Sequence, residues 1–136
     1  MKSLSVPASI VTVLKERAAE DMPNEACGML AGSDGVVEHF YPMTNADASP
    51  EHYTLVPREQ FDVMKNARGR GLQLLAVWHS HPETPARMSD EDIRLAYATD
   101  VYYVILSLAV PESEALRGFE MIDGAPVEIS VTITED

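Results

Sequence analysis

Two histidines two residues apart, His79 and His81, are followed at once by Pro82 and shortly afterwards by Ser89 and Asp92. The run Leu72-Gln73-Leu74-Leu75-Ala76-Val77-Trp78 before them is nearly unbroken in apolar residues, as expected of a strand buried on both faces. On a strand, residues two apart project to the same side, so both imidazoles are sent toward one point and Ser80 the opposite way. Pro82 stops the regular ladder, and Ser89 followed by Asp90, Glu91 and Asp92 reads as a helix N-cap with an acidic first turn. Two ring nitrogens and the Asp92 carboxylate are the donor set of a catalytic zinc site, which keeps a fourth position for water. Zinc brings the pKa of that water from about 16 toward about 7, and amide hydrolysis then needs a carboxylate to take the proton and pass it to the leaving amine. Glu25, at an element boundary between Pro23-Asn24 and Gly28, is the best distant candidate.

Each feature also has a plainer reading. Ser89-x-x-Asp92 is a capping pattern in its own right, a His-x-His pair alone can be structural, and Glu25 alone is a solvated loop carboxylate. Ser80 is read as supporting the turn by hydrogen bonding, and His39 and His52 as surface or structural residues. Cys27 reads as a small buried hydrophobe, with a secondary reading in which it borders the pocket and tunes activity through oxidation.

Taken together, Glu25 in the run Pro23-Asn24-Glu25-Ala26-Cys27-Gly28, His79-Ser80-His81-Pro82, and Ser89-x-x-Asp92 seven residues past the proline resemble the signature of the JAMM metallopeptidases, also called the MPN-plus domain. The resemblance covers essentially the whole chain, so residues 1–136 read as one such domain. It implies an α/β (α+β) fold with a mixed, largely antiparallel sheet flanked by helices, of the cytidine-deaminase-like JAMM/MPN type. It implies one Zn2+ ion with a bound water, held by His79, His81 and Asp92; Glu25 as general acid/base; and Ser89 as hydrogen-bond donor to the oxyanion.

For small stand-alone members with the Glu-Ala-Cys-Gly context, the resemblance further implies action after the C-terminal Gly-Gly of a ubiquitin-like sulfur-carrier protein, removing a cysteine or short extension. Isopeptide release of such modifiers from lysine needs the same groups and is the alternative. A catalytically silent MPN scaffold that only binds partners predicts missing ligands, whereas all are present. A zinc deaminase pairs His-x-Glu with Cys-x-x-Cys, and this chain has a single cysteine. Met88 departs from the pattern, since many relatives carry a small residue or proline before the serine; this bears on local loop shape.

Placing these residues requires a definite set of elements. Ile10, Val11, Val13, Leu14, Ala18 and Ala19 recur at helical spacing, giving a first helix from after Pro7 to about Asp21. Cys27–Ala31 and Val36–Tyr41 flank Gly32-Ser33-Asp34-Gly35 as a hairpin. Pro42 to Pro57 forms a long loop suited to binding, and Phe61, Met64, Lys65 and Arg68 suggest a second helix ending near Gly69 or Gly71. A short helix runs from Ser89 to Thr99 with Ile93, Ala96 and Tyr97 on one face, then a buried strand Val101–Leu108, then a hairpin of Phe119–Ile122 and Val127–Ile133 across Asp123-Gly124. The substrate tail is expected between the Pro42–Pro57 loop and the helix after Ser89, where it can add as a strand to an exposed sheet edge.

The chain has 136 residues, 46% hydrophobic, which suits one domain with a substantial core. No apolar run approaches the roughly 20 residues of a membrane helix, and Met1-Lys2-Ser3-Leu4 lacks the apolar stretch of a signal peptide. A lone cysteine forms no internal disulfide, and the expected location is the cytoplasm. Ten basic against 22 acidic residues give a formal charge of -12, which argues against nucleic-acid binding. An acidic carrier gains nothing from long-range attraction, so recognition falls to local contacts, with Arg58 and Arg87 as candidates. A homodimer is left open.

Overall fold

The computed structural model describes residues 2–96 and 100–135. β1 (Ser3–Pro7) leads into α1 (Ala8–Asp21), which buries Val11, Leu14 and Ala18 at the anticipated spacing. β2 (Cys27–Ser33) and β3 (Val36–Met43) form the expected hairpin. Asp34 and Gly35 between them both take positive φ, 53° and 74°, as a tight two-residue turn requires. α2 (Pro57–Gly69) starts earlier than its apolar spacing indicated, because Pro57 occupies the first turn, where its fixed φ suits a helix and no N–H is needed. β4 (Gln73–His81) follows, then α3 (Asp90–Leu95), β5 (Tyr102–Ser107), a 3-10 turn (Glu112–Glu114), β6 (Leu116–Ile122) and β7 (Ala125–Thr134). The helix expected to reach Thr99 ends at Leu95, with Ala96 already out of helical geometry at ψ 73°. Its expected last turn, with Tyr97, lies outside the described residues.

The strands close into a barrel in the order β1-β3-β2-β4-β5-β6-β7. Antiparallel pairs β2/β3, β2/β4, β5/β6 and β6/β7 outnumber the parallel pairs β1/β3, β1/β7 and β4/β5, as the mixed, largely antiparallel expectation held. Closure depends on β1, which sequence reading did not anticipate as a strand. No helix among the described residues is long and apolar enough to cross a membrane.

The period of two along β4 sorts its side chains between two cores. Ala76 and Trp78 join Leu4, Leu14, Leu30, Val104 and Leu106, with α1 contributing Val11 and Ala18. Val77 joins Cys27, Met29, Met43 and Ile105, with α2 contributing Val63. Continued for one more turn of the pleat, the same alternation puts His79 and His81 on the Val77 side and Ser80 on the Trp78 side.

Gly28 faces Trp78 on β4 and Pro42 on β3 in the ladder. A Cβ there would lie 2.3 Å from the Tyr41 carbonyl oxygen and 2.6 Å from the Phe40 ring. The carbonyl belongs to the ladder and has nowhere to move. Gly28→Ala is therefore expected to destabilise the fold by about 1–3 kcal/mol, seen as a lower urea midpoint at unchanged m-value.

Candidate active site

The end of β4 and the start of α3 bring three ligand atoms together. His79 Nε2 and His81 Nε2 are 3.1 Å apart, and Asp92 Oδ2 stands 3.2 Å from the first and 3.0 Å from the second. All three residues are buried. Asp92 is aimed by the helix cap. Ser89 Oγ accepts the Asp92 N–H at 3.0 Å, and the Ser89 N–H donates to Asp92 Oδ2 at 3.0 Å. The capping and ligand readings of Ser89-x-x-Asp92 are thus one arrangement: the box that starts the helix also fixes the carboxylate beside the imidazoles.

The two rings are held differently. His81 Nδ1 lies 2.8 Å from the Pro85 carbonyl oxygen. Donating there fixes the tautomer that leaves the Nε2 lone pair toward the cluster. His79 Nδ1 is buried with no partner among the described residues, and its ring is instead stacked on Tyr53, with centroids 4.6 Å apart and planes at 28°.

Burial works to push the Asp92 carboxyl up, but hydrogen bonds with His79, His81 and the Ser89 N–H outweigh it and hold the group far below the usual carboxylate range. For His79 burial prevails over Asp92 and lowers the pKa. His81 is also opposed by burial, yet its bonds to Asp92 and Pro85 raise it.

Glu25 lies between α1 and β2 with 3% of its surface exposed. Its N–H donates to the Ser49 carbonyl at 2.8 Å, and its own carbonyl accepts from Asn45 Nδ2 at 3.1 Å. Ser80 secures the next residue: its Oγ accepts the Ala26 N–H at 2.8 Å and its N–H donates to the Ala26 carbonyl at 3.0 Å. Ser80 faces away from the ligands as expected, but it clamps the Glu25 segment and not the turn after Pro82. Glu25 Oε1 has no hydrogen-bond partner among the described residues. Burial raises the carboxyl to about 8, with His81 pulling it down and Asp92 pushing it up. A carboxyl poised there can take and return a proton near neutral pH.

The donor set fits a divalent metal. Two imidazole nitrogens and a carboxylate oxygen with bonds of 2.0–2.1 Å in a tetrahedron would be about 3.3 Å from one another. The observed separations of 3.0–3.2 Å need only a small opening. These three form a group able to hold a metal among the described residues.

A groove of about 670 Å³ runs between Pro50-Glu51-His52 and Glu83-Thr84, with Glu25, His81 and Ser89 in its wall. The loop between β3 and α2 therefore borders the site as expected. His52 remains a surface residue bonded to Asp47 at 2.9 Å, yet it also lines this groove. Addition of a tail strand to β4 is closed at this point. Ser80 and His81 already pair with Leu106 and Ser107 of β5 on one side, and Ser80 bonds Ala26 on the other.

Cys27 pairs with His79 across the β2/β4 ladder and is fully buried in the core. Burial, with the charges of Asp21 and Glu59, pushes its thiol up to about 12. The thiolate needed for oxidation is disfavoured and out of reach, so the buried-hydrophobe reading holds and tuning by oxidation does not. Met88 is also buried in this core, so the departure from the family pattern serves packing.

Sequence reading missed Asn45 and Tyr53. Asn45 Nδ2 donates to the carbonyls of Glu25, Ser49 and His52, and its Oδ1 accepts from Asp47 and Thr54 N–H groups, so one side chain organises the whole loop. Its bond to Asp47 is a local Asx turn that the Asn-Ala-Asp run could have signalled; Tyr53 offered no periodic signal.

Residues 7–118 match the family described as prokaryotic homologs of the JAB domain. The chain is 37% identical over 134 residues to the CysO-cysteine peptidase of Mycobacterium tuberculosis, covering 97% of this chain and 92% of that protein. It is 32% identical over 129 residues to a Thermus thermophilus protein named probable TtuB-protein conjugate cleaving protease, covering 94% and 82%. The solution structure of protein DSY2949 from Desulfitobacterium hafniense matches with a TM-score of 0.89 at 38% identity, covering 98% of this chain and 94% of that one. A family match across most of the chain, with His79, His81 and Asp92 grouped so that they could hold a metal, makes this protein a hydrolase belonging to the prokaryotic JAB-domain family of JAMM-type proteases.

Proposed function

We propose that the chain is a zinc-dependent peptidase cutting after the C-terminal Gly-Gly of a ubiquitin-like or sulfur-carrier protein in the cytoplasm, releasing a cysteine or short extension. The observation that carries the reading is the buried triangle of His79, His81 and Asp92 ligand atoms, with Glu25 in the wall of the same groove. The relative named for a CysO-cysteine bond supports trimming. The relative named for cleaving TtuB-protein conjugates favours isopeptide cleavage as the second reading.

His79, His81 and Asp92 would hold Zn2+, which when bound would supply Lewis acidity and lower the pKa of a water. Glu25 takes a proton from the attacking water as oxygen adds to the scissile carbonyl carbon. It returns that proton to the nitrogen as the C–N bond breaks, so the amine departs neutral. The buried carboxyl, with Oε1 unpartnered among the described residues, is suited to both halves of that transfer. Ser89 Oγ accepts from Asp92 N–H, and its own proton is uncommitted among the described residues, leaving it to stabilise the developing oxyanion. Ser89→Ala is expected to retain metal but lose about 10²–10³ in turnover, since the backbone Ser89 N–H, which the substitution leaves in place, still holds Asp92 Oδ2 while the donor to the oxyanion is gone. Metal analysis beside kcat measurement checks this.

The functional test is incubation of the zinc-loaded enzyme with ubiquitin-like carriers bearing a C-terminal cysteine, and separately with their lysine conjugates, read by intact mass. Loss of the cysteine is the expected result. Cleavage of the lysine conjugates alone would select the second reading, and inertness toward both would reject the function.

A further inference from the structure

His81, Thr84, Ser89 and Asp90 are shared by two cavities, the groove above and a second of about 490 Å³ completed by Pro85, Arg87 and Met88. Their charges differ. The groove is lined by five acidic residues, Glu25, Glu51, Glu83, Asp90 and Glu91, and by no lysine or arginine, whereas the second cavity has Arg87. Lys2, Lys15, Arg17, Arg58, Arg94 and Arg117 are each ion-paired; Lys65, Arg68, Arg70 and Arg87 have no ion-pair partner among the described residues, and of these four Arg87 alone lines one of the two cavities.

The main chain that carries Arg87 is pinned. Ser107 Oγ donates to the Thr84 carbonyl at 2.5 Å, and the Pro85 carbonyl lies 2.8 Å from His81 Nδ1. Ala86 and Met88, on either side, are buried. An exposed, uncommitted guanidinium is thus held on a rigid bridge directly bonded to one of the proposed ligand histidines. Its planar fork matches a carboxylate, and the pinned main chain keeps the root of the side chain beside the cluster.

Building on the trimming function proposed above, we infer that Arg87 determines specificity by receiving the free α-carboxylate of a single C-terminal amino acid on the leaving side of the scissile bond. A leaving carboxylate meets five acidic residues and no lysine or arginine on the groove side, whereas the second cavity sets Arg87 against a single acid, Asp90, and is the more favourable place. A lysine within a conjugated protein brings no such group. Arg87 therefore biases the site toward removal of a terminal amino acid.

The test uses two peptides ending in Gly-Gly-Cys that differ only in a C-terminal carboxylate or carboxamide. The zinc-loaded wild type is expected to favour the carboxylate by about tenfold in KM. Arg87→Gln abolishes the preference, and Arg87→Lys, which keeps charge but loses the fork, retains part of it. No preference in the wild type, or one that survives Arg87→Gln, overturns the inference while leaving peptidase action intact. If neither peptide is cleaved, the parent function fails; fluorescence anisotropy with the same peptides then decides Arg87 alone. Tighter binding of the carboxylate by wild type than by Arg87→Gln supports the role, and equal binding rejects it.

Discussion

His79→Ala and Asp92→Ala are each expected to abolish hydrolysis by removing a proposed metal ligand. Each removes one of three donors within 3.0–3.2 Å of one another, and two donors cannot define the remaining geometry. Changes to residues that merely support ligands already weaken binding by about 10–100-fold, so loss of a ligand is expected to weaken zinc by more than about 100-fold. Activity falls to background with it. The two variants should differ in stability. Asp92→Ala also dismantles the capping box of α3, at about 0.5–2 kcal/mol, and leaves the two buried imidazoles without their carboxylate. His79→Ala instead removes a ring stacked on Tyr53 whose Nδ1 had no partner among the described residues. Competition against a chromophoric chelator, alongside urea unfolding, separates metal loss from misfolding. Tight zinc binding by either variant would count against the ligand assignment.

Glu25→Gln is expected to keep its metal and lose about 10²–10⁴ in kcat, because glutamine preserves shape and cannot relay a proton. The same substitution has the opposite effect on stability. In the metal-free chain burial raises the Glu25 carboxyl from 4.5 to about 8. Below pH 4.5 the group is protonated both folded and unfolded, and its burial is tolerated. Between 4.5 and 8 the unfolded chain releases the proton while the folded chain retains it, so stability falls as pH rises; beyond 8 the loss is complete. The full loss is about 3–5 kcal/mol. The substituted amide does not titrate, so chelator-treated Glu25→Gln should be more stable than wild type at about pH 8.5 and similar at about pH 4. A wild type no less stable than the variant under the alkaline condition would mean that Glu25 is not held in a desolvating site. A carboxyl proposed to carry a proton is thus kept at the expense of stability.

The site was legible in the sequence where local rules generate it. Apolar runs and a stopping proline identify β4, period two pairs His79 with His81, and a capping box places Asp92 at the start of α3. What local rules do not encode stayed hidden. β1 is only five residues long and gains its meaning from distant partners, pairing with Ser130–Thr134 of β7 and Val36 of β3 to close the barrel. Ser80 revealed its direction through the alternation, but its clamp on Ala26 arises from a contact 54 residues away. Glu25 was singled out by the family resemblance, since a carboxylate in a Pro-Asn-flanked segment carries no sign that it will be buried. The same holds for Tyr53, whose loop is organised by Asn45 and not by any periodic pattern. α3 is shorter than its composition suggested because Ala96 leaves helical geometry, a turn that propensity alone does not register.

The most direct measurement is an anomalous difference map from zinc-soaked crystals recorded on either side of the zinc absorption edge. One peak is expected at about 2.0–2.2 Å from His79 Nε2, His81 Nε2 and an Asp92 carboxylate oxygen. A map with no peak among those atoms, or with the ion bound elsewhere, would contradict the metal centre on which the proposed chemistry rests.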